Sequence, residues 1–362
     1  MNEEYTIVQY AQENLEPFDA VPFNEVDSLI LSCLAYLRLP LQPGNHVLLK
    51  ELYEAEYFPA MFHNVYSASH SKDLFAALCA SPRFRNIEIF HYIQDSSEET
   101  TKQFSALCFQ CNENIAYIAF RGTDATLLGW KEDFNMAFTY PVASQYEAAN
   151  YLQEVIPSLK GKILVGGHSK GGNLAVYACM HQNAIDRIDC IYTHDGPGFP
   201  KAIFQSPAYQ KIASKIRKTV PQSCVIGMIL EYQENYEIIK SNRFSVWQHD
   251  PYSWLVAKDH FIRINQLSYN ALYVNTTTNA WLANITPKER ERFIETLYSL
   301  ISQEDIKTSA QFKKNLPKNL PKIIQAAKDL NPDTKHFLHH TLQQLAKLSV
   351  SSLPKTFREK TK

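Results

Sequence analysis

ILVGGHSKGGNLAVYA, residues 163 to 178, is the stretch on which the fold turns. An apolar, β-branched run ends in Gly166-Gly167, the triplet His168-Ser169-Lys170 follows, and Gly171-Gly172 opens a helix-forming run. The centre, G-H-S-K-G, has the form G-x-S-x-G. That pattern makes sense as a strand-to-helix turn so sharp that the neighbours of its central residue can carry almost no side chain. Such a turn lifts a hydroxyl out of a sheet and into a cleft, which makes Ser169 a candidate nucleophile.

Outward from this turn, the pattern alternates. Upstream, FSALCFQC and IAYIAF are strand-like runs separated by the polar NEN, which predicts a β-hairpin. YEAANYLQEVIPSL then predicts a helix leading into strand KILVGG. Downstream, helix GGNLAVYACMHQ leads to strand IDCIYTHDG, and SCVIGMILE reads as a continuous apolar strand of the fully buried kind. This alternation predicts an α/β fold with a mostly parallel sheet covered by helices on both faces. Earlier, NEVDSLILSCLAYLRL from Asn24 and SKDLFAALCAS have helical periodicity, and FRNIEIFHYIQD alternates as a strand does. Late in the chain, Thr286 as N-cap, Pro287 at the first helical position and Glu289 form a capping box, so a helix starts there.

With 362 residues, 45% hydrophobic and 20% charged, the chain can bury a large core. Its net charge of -1 is unevenly placed. Residues 307–362 hold 12 Lys and Arg against 3 Asp and Glu, which leaves a mildly acidic body and a basic tail. We therefore expect an α/β domain over 1–305 with an N-terminal helical lead-in, and a basic helical tail over 306–362. The tail carries an apolar stripe at Phe337, Leu338, Leu342 and Leu345, suited either to packing or to peripheral contact with acidic lipid. MNEEYTIVQYAQENLEP has acidic residues where an export signal needs basic ones, and no long apolar run follows. Seven cysteines, an odd number mostly inside apolar runs, fit buried thiols in a reducing cytoplasm. Cys108 and Cys111 form a C-x-x-C, but in a strand a three-residue offset points them to opposite faces, against a metal site.

A nucleophilic serine needs a base, an orienting acid and donors for the oxyanion. IAFRGTDATLLGWKEDF, residues 118 to 134, resembles the oxyanion segment of the class three lipases, which place an F-R-G-T turn after a strand with a Trp and an Asp beyond it. GGHSKGGNLAVYA resembles their nucleophile elbow, G-H-S-x-G-G-x-L-A. With NEVDSLILSCLAYL near the start and QHDPYSW near Trp254, the chain most resembles a bacterial family of lipase-like α/β-hydrolases related to those lipases, over about residues 20 to 305. The paired motifs are more specific than either alone.

The resemblance implies an α/β-hydrolase fold, Ser169 as nucleophile, His249 as base, and oxyanion roles for Thr123 and for the backbone N–H of Lys170. His260 in KDHF is the alternative base. His168, on a strand edge beside the serine, should turn its ring away from the hydroxyl, and His194 suits packing. The acid departs from the lipase pattern, because the corresponding place holds Ser223. Asp195 in THDGPGF ends the strand after the elbow helix and is the candidate acid; Glu231 and Asp250 are the alternatives. Lys170 stands where a neutral residue is usual; its cation would favour an anionic or polar substrate, pair with Asp124 or Asp195, or sit in water with its stem laid over the helix.

The function expected is cleavage of a carboxylic ester or thioester of a small acyl substrate, lipids included, through an acyl-serine. It needs no metal or cofactor and no nucleic-acid partner. The alternatives are a non-catalytic hydrolase-fold binding protein, or a protein whose basic tail docks on acidic lipid or nucleic acid.

Overall fold

The computed structural model describes residues 4–301 apart from 43, 66, 125, 137 and 231–234, together with 325, 332–336, 339–341 and 343. The tail's apolar stripe at Phe337, Leu338, Leu342 and Leu345 lies outside the described residues, as does Glu231.

Eight strands succeed one another in space in chain order: β1 (Val47–Leu48), β2 (Glu88–Ser97), β3 (Lys102–Asn112), β4 (Ile115–Phe120), β5 (Lys162–His168), β6 (Ile188–His194), β7 (Ile216–Pro221) and β8 (Glu237–Ile239). A separate two-stranded ribbon joins β9 (Val256–Ala257) to β10 (His260–Phe261), and β11 (Arg263–Ile264) completes the large sheet as its ninth strand, beside β8. Strands β4 to β8 are parallel, and antiparallel pairs flank them on both sides. The large sheet thus has a parallel centre and antiparallel edges.

The helices fill the crossovers. Before β2 come α1 (Ile7–Glu13), α2 (Glu25–Leu34), α3 (Phe58–Met61) and α4 (Ala68–Ala80). Between β4 and β5 lie α5 (Leu127–Asn135) and α6 (Ala143–Val155); α7 (Lys170–Met180) joins β5 to β6, and α8 (Lys201–Phe204) and α9 (Pro207–Ile212) join β6 to β7. The chain then adds α10 (Tyr269–Asn284) and α11 (Pro287–Ile301).

Alternation along β4 sorts its side chains onto two cores. Tyr117 and Ala119 face the core that takes in Leu29, Ile30 and Leu34 of α2, while Ala116, Ile118 and Phe120 face the core built with α6 and α7. Cys108 and Cys111 obey the same rule and pack on opposite faces. Helix α2 begins where Asn24 Oδ1 accepts the N–H groups of Val26 and Asp27 at 2.9 and 3.1 Å, and Asp27 returns a bond to the Asn24 N–H. At the other end, Thr286 and Glu289 exchange the bonds of a capping box at 2.7 and 3.3 Å.

One expected strand is absent from its place. Within SCVIGMILE, residues 223–230 are turns and a short 3-10 helix at Ile226–Met228, and the strand is the more polar IRKTVP before it. The apolar run is a cavity wall rather than sheet interior: Ile226, Ile229 and Leu230 all line the space above Ser169. His260 sits in β10 as expected of a strand residue, but it is exposed and pairs with Asp259 at 3.0 Å. Among the described residues no helix is long and apolar enough to cross a membrane.

Candidate active site

Register places the site. Phe120 pairs with Gly167, His168 with His194, and His194 with Thr219, so β4 to β7 end level and their following loops converge at the carboxyl edge of the sheet. The ladder runs on into those loops: the Ser169 N–H donates to His194 O at 2.9 Å, and the Asp195 N–H to Thr219 O at 2.8 Å.

Ser169 is the N-cap of α7 with φ 58° and ψ −133°, a conformation that a residue with a Cβ occupies only under constraint. The glycines on either side make the turn possible. A Cβ on Gly167 would lie 2.3 Å from the carbonyl carbon of Gly171, and one on Gly171 would lie 2.1 Å from Phe120 O. Strand, turn and helix pack with no room between backbones. The serine is 7% exposed and faces a cavity.

His249 arrives from a distant part of the chain, at the end of a 3-10 turn, Ser245–His249. Its Nε2 is 3.0 Å from Ser169 Oγ, and its Nδ1 is 2.6 Å from Asp195 Oδ2. A carboxylate only accepts, so Nδ1 carries the proton and Nε2 presents a lone pair to the serine hydroxyl. Asp195, fully buried with φ 50°, uses its other oxygen to accept the Cys224 thiol at 2.8 Å and the Gly227 N–H at 3.1 Å. Buried Lys218 steadies that turn by donating to Gly227 O at 2.6 Å. Asp250, by contrast, points away from His249: it accepts the Tyr252 N–H at 3.1 Å and pairs with Arg243 at 2.6 Å.

His168 has a role that its neighbour's prominence hid. Its ring does turn from the hydroxyl, but only to pack against that of His249, with centroids 4.7 Å apart and planes tilted by 33°. Its Nε2–H donates to the His249 carbonyl at 2.9 Å, and its Nδ1 accepts from Tyr36 at 3.1 Å. Burial holds the His168 ring well below its usual pKa, so it stays neutral and keeps this polarity. Trp254 donates to Gln248 O at 2.8 Å and fixes the same turn from below. His194 bridges Ser28 and Thr219 at 3.0 and 2.7 Å, and burial lowers it to about 3. None of Tyr36, Cys224, Lys218 or Gln248 carries a local sequence signal; each becomes visible only once the sheet brings distant segments together.

On the other side of Ser169, the loop after β4 carries Thr123, whose hydroxyl lies 2.5 Å from both oxygens of Asp133. Desolvation is the main cause that pushes Asp133 up to about 6, opposed by Lys170 and by the Thr123 bond. Lys170, expected either in water or paired with Asp124 or Asp195, does neither. Its ammonium is buried, 2.6 Å from Glu132 Oε2 and 2.9 Å from Gln103 O. A helix N-terminus leaves its first N–H groups without intrahelical partners, and Lys170 is the first residue of α7. Asp124 instead caps its own loop by accepting the Thr126 N–H at 2.7 Å.

The cavity above these groups encloses about 530 Å³. Ile226, Ile229 and Leu230 wall one side; Trp281 of α10 with Phe293 and Ile294 of α11 cover it. Ser169, His249 and Thr123 open into it. The arrangement can pass a proton from the serine hydroxyl to an imidazole whose far nitrogen is fixed by a carboxylate, beside a space that accepts an apolar group.

Among curated proteins none matches the chain. Solved structures similar to it include a fungal lipase in complex with an inhibitor, 14% identical, with 66% of this chain and 82% of that chain covered and a TM-score of 0.36. They also include the M37 lipase, 16% identical over 57% and 70% of the two chains at a TM-score of 0.36. The Lip2 lipase of Yarrowia lipolytica is 14% identical over 66% and 84%, at 0.34. A family model described as Mbeg1-like matches residues 78–299, a span that takes in Thr123, Ser169, Asp195 and His249. The chain belongs to the Mbeg1-like family.

Proposed function

We propose that this protein is a serine hydrolase that cleaves a carboxylic ester or thioester with an apolar acyl group. The observation that carries the reading is the line from Ser169 Oγ through the ring of His249 to Asp195, at 3.0 and 2.6 Å. Ser169 Oγ attacks the acyl carbon while its proton passes to His249 Nε2. The tetrahedral adduct collapses, the leaving alcohol or thiol takes that proton, and Ser169 keeps the acyl group as an ester. Water, deprotonated by the same Nε2, attacks this ester and releases the acid. Asp195 holds the Nδ1–H tautomer throughout and stabilises the imidazolium. The oxyanion is met by the backbone N–H groups of Lys170 and Thr123, at the start of α7 and after β4. The acyl group occupies the cavity under α10 and α11, whose apolar walls suit a hydrocarbon chain.

Labelling with a fluorophosphonate tests this reading, because only an activated serine reacts. Wild-type protein labels and hydrolyses acyl esters; Ser169→Ala folds, does not label and keeps only residual turnover. Equal labelling of both would overturn the assignment, and no labelling of the wild type would favour a ligand-binding role for the same cavity.

A further inference from the structure

Two neighbouring pairs of residues face each other across the site. Ser169 is followed by Lys170, and Asp133, which bonds Thr123, is preceded by Glu132. Lys170 and Glu132 meet at 2.6 Å with both side chains at most 1% exposed. A buried ion pair is stable only when its remaining hydrogen-bond capacity is satisfied, and here it is. The Lys170 ammonium also donates to Gln103 O at 2.9 Å, and Glu132 accepts the Gln103 N–H at 3.0 Å, the Ser144 N–H at 3.1 Å and the Ser144 hydroxyl at 2.5 Å.

Gln103 of β3 ties this cluster to the loop after β4. Its backbone serves the ion pair, while its side-chain Oε1 accepts the Asp124 N–H at 3.0 Å and its Nε2 donates to Thr126 Oγ1 at 2.9 Å. There is little slack in the arrangement: a Cβ on Gly129 would lie 2.5 Å from Gln103 Oε1. The start of α7, helix α5 and the loop bearing Thr123 are thus joined through one buried polar network.

We propose that Gln103, Glu132 and Lys170 are positioning residues that hold the Thr123 loop in register with the N-terminus of α7, so that two oxyanion donors face one point before substrate arrives. The inference rests on the serine-hydrolase reading. It assigns Lys170 a task apart from its backbone N–H: the cation is spent on geometry, and it recognises no anionic substrate.

Two full-length variants test it. Gln103→Leu removes both side-chain bonds to the loop and leaves the ion pair intact. The double variant Lys170→Met with Glu132→Leu removes both charges together, so that neither is stranded in the interior. The measurements are kcat and KM on an acyl ester, fluorophosphonate labelling rate, melting temperature, and amide hydrogen exchange of residues 121–127. Loss of preorganisation predicts that kcat and labelling fall about tenfold to a hundredfold, a share of what a lost oxyanion donor costs. KM stays within about twofold, because ground-state binding is untouched, and exchange at Thr123 and Asp124 quickens. Folded Gln103→Leu with unchanged kcat and unchanged exchange would overturn the proposal, as would a lower melting temperature with kcat intact. Should the double variant not fold, Gln103→Leu decides alone. A wild type that neither labels nor hydrolyses esters defeats the hydrolase reading instead, and the exchange measurement still reports whether the network holds the loop.

Discussion

The two flanks of Ser169 are built from different materials. On the flank of the proposed acid, Asp195 is held by neutral groups: a thiol, one backbone N–H and an imidazole. On the flank proposed for the oxyanion, the Thr123 loop is held by the Asp133 carboxylate and by the side chain of Gln103, whose backbone is gripped in turn by the buried Glu132–Lys170 pair. Chemistry accounts for the difference. An orienting carboxylate must keep its charge available to the imidazolium that forms beside it, and a cation bonded to Asp195 would compete for that charge. An oxyanion site needs donors fixed in advance, and a buried, fully satisfied ion pair is a stiff way to fix them.

The largest effect comes from the acid side. Asp195→Asn puts an amide where the Nδ1–H bond must be accepted, favours the wrong tautomer, and lowers turnover by about 10⁴ with the fold intact. Asp250→Asn, which keeps the turn cap at Tyr252 and lies off the line, leaves turnover close to wild type. Steady-state kinetics of the two variants under one assay compare them, and a collapse in Asp250→Asn with Asp195→Asn active would reverse the assignment.

Thr123→Val gives a smaller loss. The threonine hydroxyl has one proton, and beside an ionised Asp133 that proton goes to the carboxylate, which in the proposed mechanism leaves the Thr123 N–H to meet the oxyanion. Turnover therefore falls by less than the roughly 10²–10³ that follows deletion of a direct donor. A loss of that full size would put the side chain itself on the oxyanion.

The smallest effect is on stability. Asp133 is raised to about 6 in the folded protein, chiefly by desolvation, against about 4 when unfolded. A carboxyl raised in this way contributes stability that is complete below the unfolded value and is lost as pH rises through about 6. Asp133→Asn removes this dependence, so urea unfolding of wild type and variant between pH 4 and pH 7 gives a difference that changes across that window. A constant difference would mean that Asp133 titrates alike in both states.

Sequence reading reached the fold because its evidence is local. The elbow between β5 and α7 is written in consecutive residues, and hairpin β3–β4 and the cap at Thr286 follow from short patterns. Where function bends composition, the same reading fails. Cys224 to Leu230 is as apolar as a central strand because Ile226, Ile229 and Leu230 line a cavity while Cys224 and Met228 pack in a small core, and β7, with Arg217, Lys218 and Thr219, looks too polar for one. Lys218 is polar inside for a reason that only the third dimension supplies, its bond to Gly227 O beside Asp195. The sequence pointed to candidate residues where a motif or the family resemblance marks them, as at Thr123, Ser169 and His249. The candidate site was not legible where pairing spans long separations, as between Lys170 and Glu132 or His168 and the His249 carbonyl.

The backbone at Ser169 has a consequence for how such a protein can drift. At φ 58° and ψ −133° glycine would sit without steric cost, and serine does not. In a lineage released from the need for this hydroxyl, thermodynamics would favour its loss, since the most stable version of the turn is one that cannot attack anything. The proposed nucleophile thus stands at a position where stability alone favours glycine, so its hydroxyl and the stability of its own fold pull in opposite directions.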